Sequence, residues 1–390
     1  MSRRPITSLL MLFLLSVCAA KVIVAADPIQ PTTAGSIAIA NLDQQIAQAP
    51  DESGVEDLLL LRSQFLADYE ALDRAGVLTE GRLETSRDLL RRARTRAARH
   101  QFADALADLA SAESKGATAE QAAQARASIL IATGHADQVV SGLEANLIRH
   151  PGFASRSQLA AAFAALGHVD DADRLYAAAV HDLRTTLPFP YAWIYFARGL
   201  MWEEVGQDRG RAEEMYKRAL AYVPEFVAAN IDLAELEMMR GDRPDAEDRL
   251  LKVIRIANEP EAHALLGALY FQQGEQAKGE KESLLARQRF ESLLDSNLLA
   301  FADHAAEFYL GAGHDPERAW NLARINLANR ETNRSVALAI KAAEESGRYA
   351  DARELVRNHG SAVEQYLRNL EQTLGNTKAV RLPVAQRRSE

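Results

Sequence analysis

Apolar residues recur along most of this chain at i, i+3, i+4 and i+7, as at Ala212, Met215, Tyr216 and Ala219. That is the period of a helix with one face packed on a neighbour, and no alternating strand pattern of note competes with it. The helical stretches are punctuated by a small or turn-forming residue at His100, Gly134, Gly167, Gly206, Gly241, Gly274, Gly313 and Gly347, at spacings of 34, 33, 39, 35, 33, 39 and 34. Five of the seven spacings fall within one residue of 34, so the pattern predicts tandem duplication of one helix–turn–helix unit. The two longer intervals carry their extra residues in loops and lengthened helices, with residues 185–190 as one insertion.

A second regularity sits inside the units. Seven residues before each turn stand Ala93, Ala127, Ala160, Gly199, Ala234, Gly267, Ala306 and Ile340. Five or six residues after it stand Ala105, Val139, Ala172, Ala212, Ala246, Gly279, Ala319 and Ala352. Small side chains at the middle of both helices let them approach to roughly 8 Å, the close end of helix packing. Copies such as Gly199-x2-Trp202-x3-Gly206, followed by Ala212, Tyr216, Ala219 and Pro224, and Leu266-Gly267-x2-Tyr270-x3-Gly274 resemble the tetratricopeptide repeat. So does Ala160-x2-Phe163-x3-Gly167 with Ala172, Tyr176 and Ala179. The signature is a 34-residue helix hairpin.

The resemblance implies an all-α fold, an α-solenoid wound as a right-handed superhelix whose first helices line a concave groove. It covers about eight units over residues 85–359, with helices or a cap over 27–84, a capping helix over 360–375 and a tail over 376–390. The outer units depart from it: His100 replaces a glycine and Ile340 a small residue. Met239 and Trp202 are expected in the core.

Composition changes this picture little. Of 390 residues, 48% are hydrophobic and only 6% aromatic, as an Ala-rich stack of helices requires. Charge and the first residues say more. Arg3 and Arg4, an apolar run from Leu9 to Ala20, and Val24-Ala25-Ala26 before Asp27 read as an export signal over 1–26. Its twelve-residue core is short of a membrane span. Export to the periplasm or outside the cell is therefore expected. Cys18, the one cysteine, lies in that segment; a lipid anchor there is disfavoured by Val17, where a small residue is usual. The chain after Ala26 has 42 basic and 54 acidic residues, a net charge of −12 that repels nucleic acid.

In tetratricopeptide proteins the groove binds a peptide or partner protein, through the second, fifth, sixth, ninth, twelfth and thirteenth positions of each unit. Two patches stand at those positions. Arg87, Arg91 and Arg94 lie at i, i+4 and i+7, with Arg92, Arg96 and Arg99 nearby, six arginines in thirteen residues. Their guanidinium forks suit carboxylates or phosphates, hence an acidic peptide or, as an alternative function, an anionic polysaccharide or small anionic ligand. Acidic neighbours on a solvated helix are the bland explanation. The second patch is apolar: Trp193, Phe196, Ile231, Met238 and Phe271. Core packing is the bland explanation here. Asp303, His304 and Glu307 cluster on one helix without a visible further ligand, and nucleotide-loop, hydrolase-elbow and zinc-protease motifs do not occur. No catalytic residue, cofactor or metal is expected, and the function expected is that of a non-catalytic scaffold or adaptor in an envelope assembly.

Overall fold

The structure is a computed structural model that describes residues 30–49, 54–81 and 84–360. The expected leader with Cys18, nearly all of the expected capping helix and the tail lie outside the described residues. Contacts divide the chain into Met1–Pro31 and Thr32–Glu390, and every described helix lies in the second part.

Three helices come first: α1 (Gly35–Gln48), α2 (Val55–Leu66) and α3 (Tyr69–Glu80). Paired helices come after them: α4 (Ser86–Ala98) with α5 (Phe102–Ser114), α6 (Ala119–Ala132) with α7 (Val140–Arg149), and α8 (Phe153–Ala165) with α9 (Val169–Asp182). Next come α10 (Phe189–Leu200) with α11 (Arg209–Tyr222) and α12 (Val227–Arg240) with α13 (Arg243–Ile256). Then α14 (Pro260–Gln272) packs on the first part of α15 (Gln276–Leu310). Helix α15 breaks at Asn297, whose φ/ψ of −141°/52° is not helical, and its second part pairs with α16 (Pro316–Asn329). The last hairpin is α17 (Asn333–Glu345) with α18, residues 349–360. The described residues are helices and turns throughout, an α-solenoid of tandem hairpins.

Local sequence starts these helices. Thr85 and Asp88 form a reciprocal capping box on α4, as do Thr118 and Gln121 on α6. Asp208, Asp315 and Thr332 accept backbone N–H groups at the starts of α11, α16 and α17. Each such cap is worth about 1 kcal/mol.

The small residues sit where helices cross. All eight positions before the turns are buried, as are seven of the eight after them, Val139 being half-buried. Trp202 is buried as expected, but Met239 is 47% exposed, because the end of α12 turns it outward just before Gly241.

The turns differ in the two units whose spacing is 39. Gly134, Gly167, Gly241, Gly274 and Gly347 all take positive φ. In the two long units the left-handed residue is the one after the glycine, Gln207 (φ 54°) and His314 (φ 48°). A π-helical turn over Met201–Val205 absorbs extra chain in the first of these. Gly206 has φ −74°; it is glycine because a Cβ there would meet the Trp202 ring.

The array also curls back on itself. The Asn329 side-chain amide donates to the His100 carbonyl at 3.0 Å, and Gly134 packs directly against the Glu331 carbonyl. Gly167→Ala is thus expected to cost about 1–2 kcal/mol from its left-handed φ alone, whereas Gly134→Ala must also displace residue 331 and costs clearly more. His314→Gly, at an exposed left-handed position, should be neutral or stabilising. Urea midpoints of the three variants check this, and equal losses for the two alanines would refute the contact.

Candidate functional site

The first helices of successive hairpins (α10, α12, α14, residues 298–310 and α17) present one common face, and α2 and α3 lie against it. Phe65 at the end of α2 is 1% exposed and sits 5.0 Å from the Phe189 ring and 4.5 Å from the Phe226 ring. Tyr69, opening α3, packs edge-on against Phe301 at 4.7 Å and donates its hydroxyl to Glu259 at 2.7 Å. Farther along, buried Asn297 donates to Asp73 at 2.6 Å and accepts from Arg99 at 2.7 Å. The chain's own N-terminal helices therefore cover part of the face on which a groove was expected.

That arrangement decides where the expected contact residues lie. Ile231 is buried on a cavity wall. Phe196 is half-buried between Tyr216 and Phe226, at 5.8 and 4.8 Å between ring centres. Trp193 is half-buried beside Phe153, Met238 packs against the cluster around Val227 and Ile231, and the Phe271 ring lies on Gly279. These five side chains do not form one exposed strip. Among the arginines, Arg91 pairs with buried Glu56 at 3.0 Å and Arg94 with Asp57 at 3.3 Å, so α2 supplies the counter-charges. Arg92 and Arg96 both grip buried Asp108 at 2.5 and 3.0 Å and also reach Glu80. Arg87 is exposed.

Between α2–α3 and the array lies a cavity of about 590 Å³. Leu60, Ser63, Gln64, Tyr69 and Leu72 line it from one side. Val227, Ala228, Ile231, Glu259, Glu261, Phe301 and His304 line it from the other. Glu261 is ion-paired with His304; both lie deep in the fold, yet keep 29% and 35% of their side-chain surface uncovered because they face this space. Beyond them Arg334 bridges Glu204 and Glu307, each at 3.1 Å.

Electrostatically the floor of the groove face is acidic, and of its carboxylates Glu259 and Glu261 line the cavity. Glu203, Glu204, Asp232, Glu235, Glu259, Glu261, Asp303 and Glu307 act on one another, tempered by Arg209, His304, Arg330 and Arg334. Burial, reinforced by Glu261, Glu203 and Glu307, pushes Glu235 up to about 8. Burial and the charges of Glu235 and Glu203 hold Asp232 well above the carboxylate range. Burial also raises Glu203 and Glu259, against hydrogen bonds from Tyr216 and Tyr69 that favour the ionised forms. Burial alone would lower His304, but Glu261 and Asp303 overcome it and raise it to about 10. His100, also on the cavity wall, falls to about 4 through burial and the charge of Arg330.

Apart from Glu259 and the cations at 209 and 330, these groups stand at the same groove positions that nominated Trp193 and Phe196. Asp232 is a sixth, Glu235 a ninth and Glu261 a second position. The repeat register thus marked the acidic floor as well, but carboxylates spaced along a helical array carry no signal that sets them apart from ordinary surface charge. Among the described residues no three His, Cys, Asp or Glu side chains are placed to hold a metal ion.

A tetratricopeptide-repeat family model matches residues 207–269, which span α11 to α14. The chain thus carries tetratricopeptide repeats over this stretch. Solved structures of similar architecture include the anaphase-promoting-complex hetero-tetramer Cut9–Hcn1, at 13% identity and TM-score 0.47 over 87% of this chain and 67% of that one. A tetratricopeptide repeat protein from Parabacteroides merdae aligns at 17% identity and TM-score 0.40, covering 66% and 98%. MamA aligns at 18% identity and TM-score 0.37, covering 43% and 96%. No curated protein matches the sequence.

For this repeat protein the acidic floor sets a pH dependence of stability. Glu235 and Asp232 bind protons in the folded state at pH values where the unfolded chain has released them, so the fold loses stability as pH rises from the ordinary carboxylate range through about 8. His304, raised by its partners, adds stability that is present below its unfolded value near 6.5 and fades as pH rises towards 10. His100 acts oppositely, but only between about 4 and 6.5. Between pH 6.5 and 8 these groups act together, so Tm should fall across that window. Glu235→Gln should flatten the fall; an unchanged slope would show that Glu235 is not buried among carboxylates.

Proposed function

We propose that this repeat protein is a non-catalytic scaffold or adaptor, exported to the bacterial envelope, that holds a protein partner or peptide against its helical array. The fold supports an interaction scaffold in general. The observation that carries the reading further is Phe65, since the face built by the first helices receives this aromatic-bearing helix between Phe189 and Phe226. At the α4 end, exposed Arg87 and half-exposed Arg94 offer guanidinium groups to an acidic segment, since an exposed pair such as Arg94–Asp57 is worth little and opens readily. The envelope assignment rests on the leader pattern over 1–26.

Affinity capture from an envelope fraction, followed by reconstitution from purified components, tests the reading. We expect a stoichiometric partner whose affinity drops at least several-fold with Arg87→Ala plus Arg94→Ala. Failure of every captured protein to bind in reconstitution overturns the scaffold reading. An N-terminus at Asp27 in protein recovered from the envelope is the outcome expected of export, and a cytoplasmic chain beginning at Met1 overturns it.

A further inference from the structure

We propose that the cavity between α2–α3 and the array binds a compact uncharged molecule, an apolar body with one neutral head that both donates and accepts hydrogen bonds, such as a carboxamide, and that Ser63 and Gln64 receive this head. The site does not depend on a protein partner at Arg87 and Arg94.

Shape comes first. A volume of about 590 Å³ lies within the range of sites that enclose small molecules. Alanines make the room: Ala67, Ala98, Ala228 and Ala300 line the cavity from four different segments, where larger side chains would close the gap between α2 and the array. Leu60, Ile231 and Phe301 supply apolar wall beside them.

The α2 wall carries the recognition. Leu60, Ser63, Gln64 and Ala67 all line the cavity and are spaced i, i+3, i+4 and i+7, so a single stripe of α2 and its end faces this space. Elsewhere α2 seals with apolar side chains, and Leu59, Phe65 and Leu66 are buried. A stripe that merely packed on the array would be apolar at its two central positions as well. Here those positions hold a hydroxyl and an amide. Among the described residues neither side chain has a hydrogen-bond partner, and neither is fully buried: Ser63 is half-buried and Gln64 exposed. Both therefore present open donors and acceptors to the cavity, and a carboxamide can pair with the Gln64 amide through one donor and one acceptor at once.

The charges on the walls disfavour an ionic ligand. Glu261 is ion-paired with His304, and Glu259 accepts the Tyr69 hydroxyl at 2.7 Å and a backbone N–H of Glu261. His100, the remaining titratable group on the wall, is uncharged at neutral pH, since burial and Arg330 lower it to about 4. A ligand cation would find both carboxylates engaged, and a ligand anion would face them. Either would give up its water without a free counter-charge. An uncharged ligand avoids that cost and gains the burial of its apolar body.

The test is equilibrium dialysis of the full chain at pH 7 against 2-naphthamide and three analogues of the same shape: 2-naphthoate, 2-naphthylmethylammonium and 2-methylnaphthalene. We expect one 2-naphthamide bound per chain, at least tenfold more tightly than either ion and more tightly than 2-methylnaphthalene. Ser63→Ala with Gln64→Leu should weaken 2-naphthamide at least fivefold while leaving 2-methylnaphthalene binding and the circular dichroism spectrum unchanged, since neither side chain has a partner within the described fold. Ala228→Phe, which fills the chamber without altering charge, should abolish binding of both. The proposal is overturned if 2-naphthamide does not bind, if either ion binds as tightly, if the double variant keeps the preference for the amide over the hydrocarbon, or if Ala228→Phe leaves binding intact.

Discussion

The close crossing of two helices at a pair of small residues is the constraint on which the rest of this molecule depends. Where Ala160 meets Ala172, or Ala234 meets Ala246, both residues are completely buried and the helix backbones set their own spacing. A hairpin built this way cannot cover its apolar stripe by itself, so each must stack on the next. Stacking then lines up the first helices on one face. That alignment brings Glu203, the α12 pair Asp232 and Glu235, Glu261 and Glu307, which belong to four different hairpins, into electrostatic range of one another.

What happens on that face is governed by α2 and α3. By seating Phe65 and Tyr69 against the array they cover Glu259, and burial is the largest cause of its raised value, as it is at Glu235 and Asp232. The same helices bring Glu56 and Asp57 to Arg91 and Arg94, so the strongest run of positive charge is largely neutralised from within. One packing event thus pairs two of the three arginines expected to bind an anion.

Period, hairpin boundaries and crossing residues were legible because each is a local property repeated along the chain: a turn, a small side chain, a helical stripe. Even the exceptions have local causes, as in the π-helical turn that moves the left-handed residue from Gly206 to Gln207. The groove register was legible too, but its meaning was not. Trp193, Phe196, Ile231, Met238 and Phe271 carry the signature of either a binding strip or a core, and only their neighbours distinguish the two. The carboxylates at the same positions read as ordinary surface charge until something covers them.

The sequence by itself determined an all-helical array of tetratricopeptide hairpins, since helix periodicity and small-residue spacing act within one or two units. Only the tertiary structure decided that the array curls until His100 touches Asn329, and that the concave side is partly filled by the chain itself. The contacts responsible join residues 190 to 229 positions apart, as in Tyr69–Glu259, Asp73–Asn297 and His100–Asn329. Pairings at that distance leave no period in a single sequence, and they set how much water reaches each carboxylate and therefore what the cavity can hold.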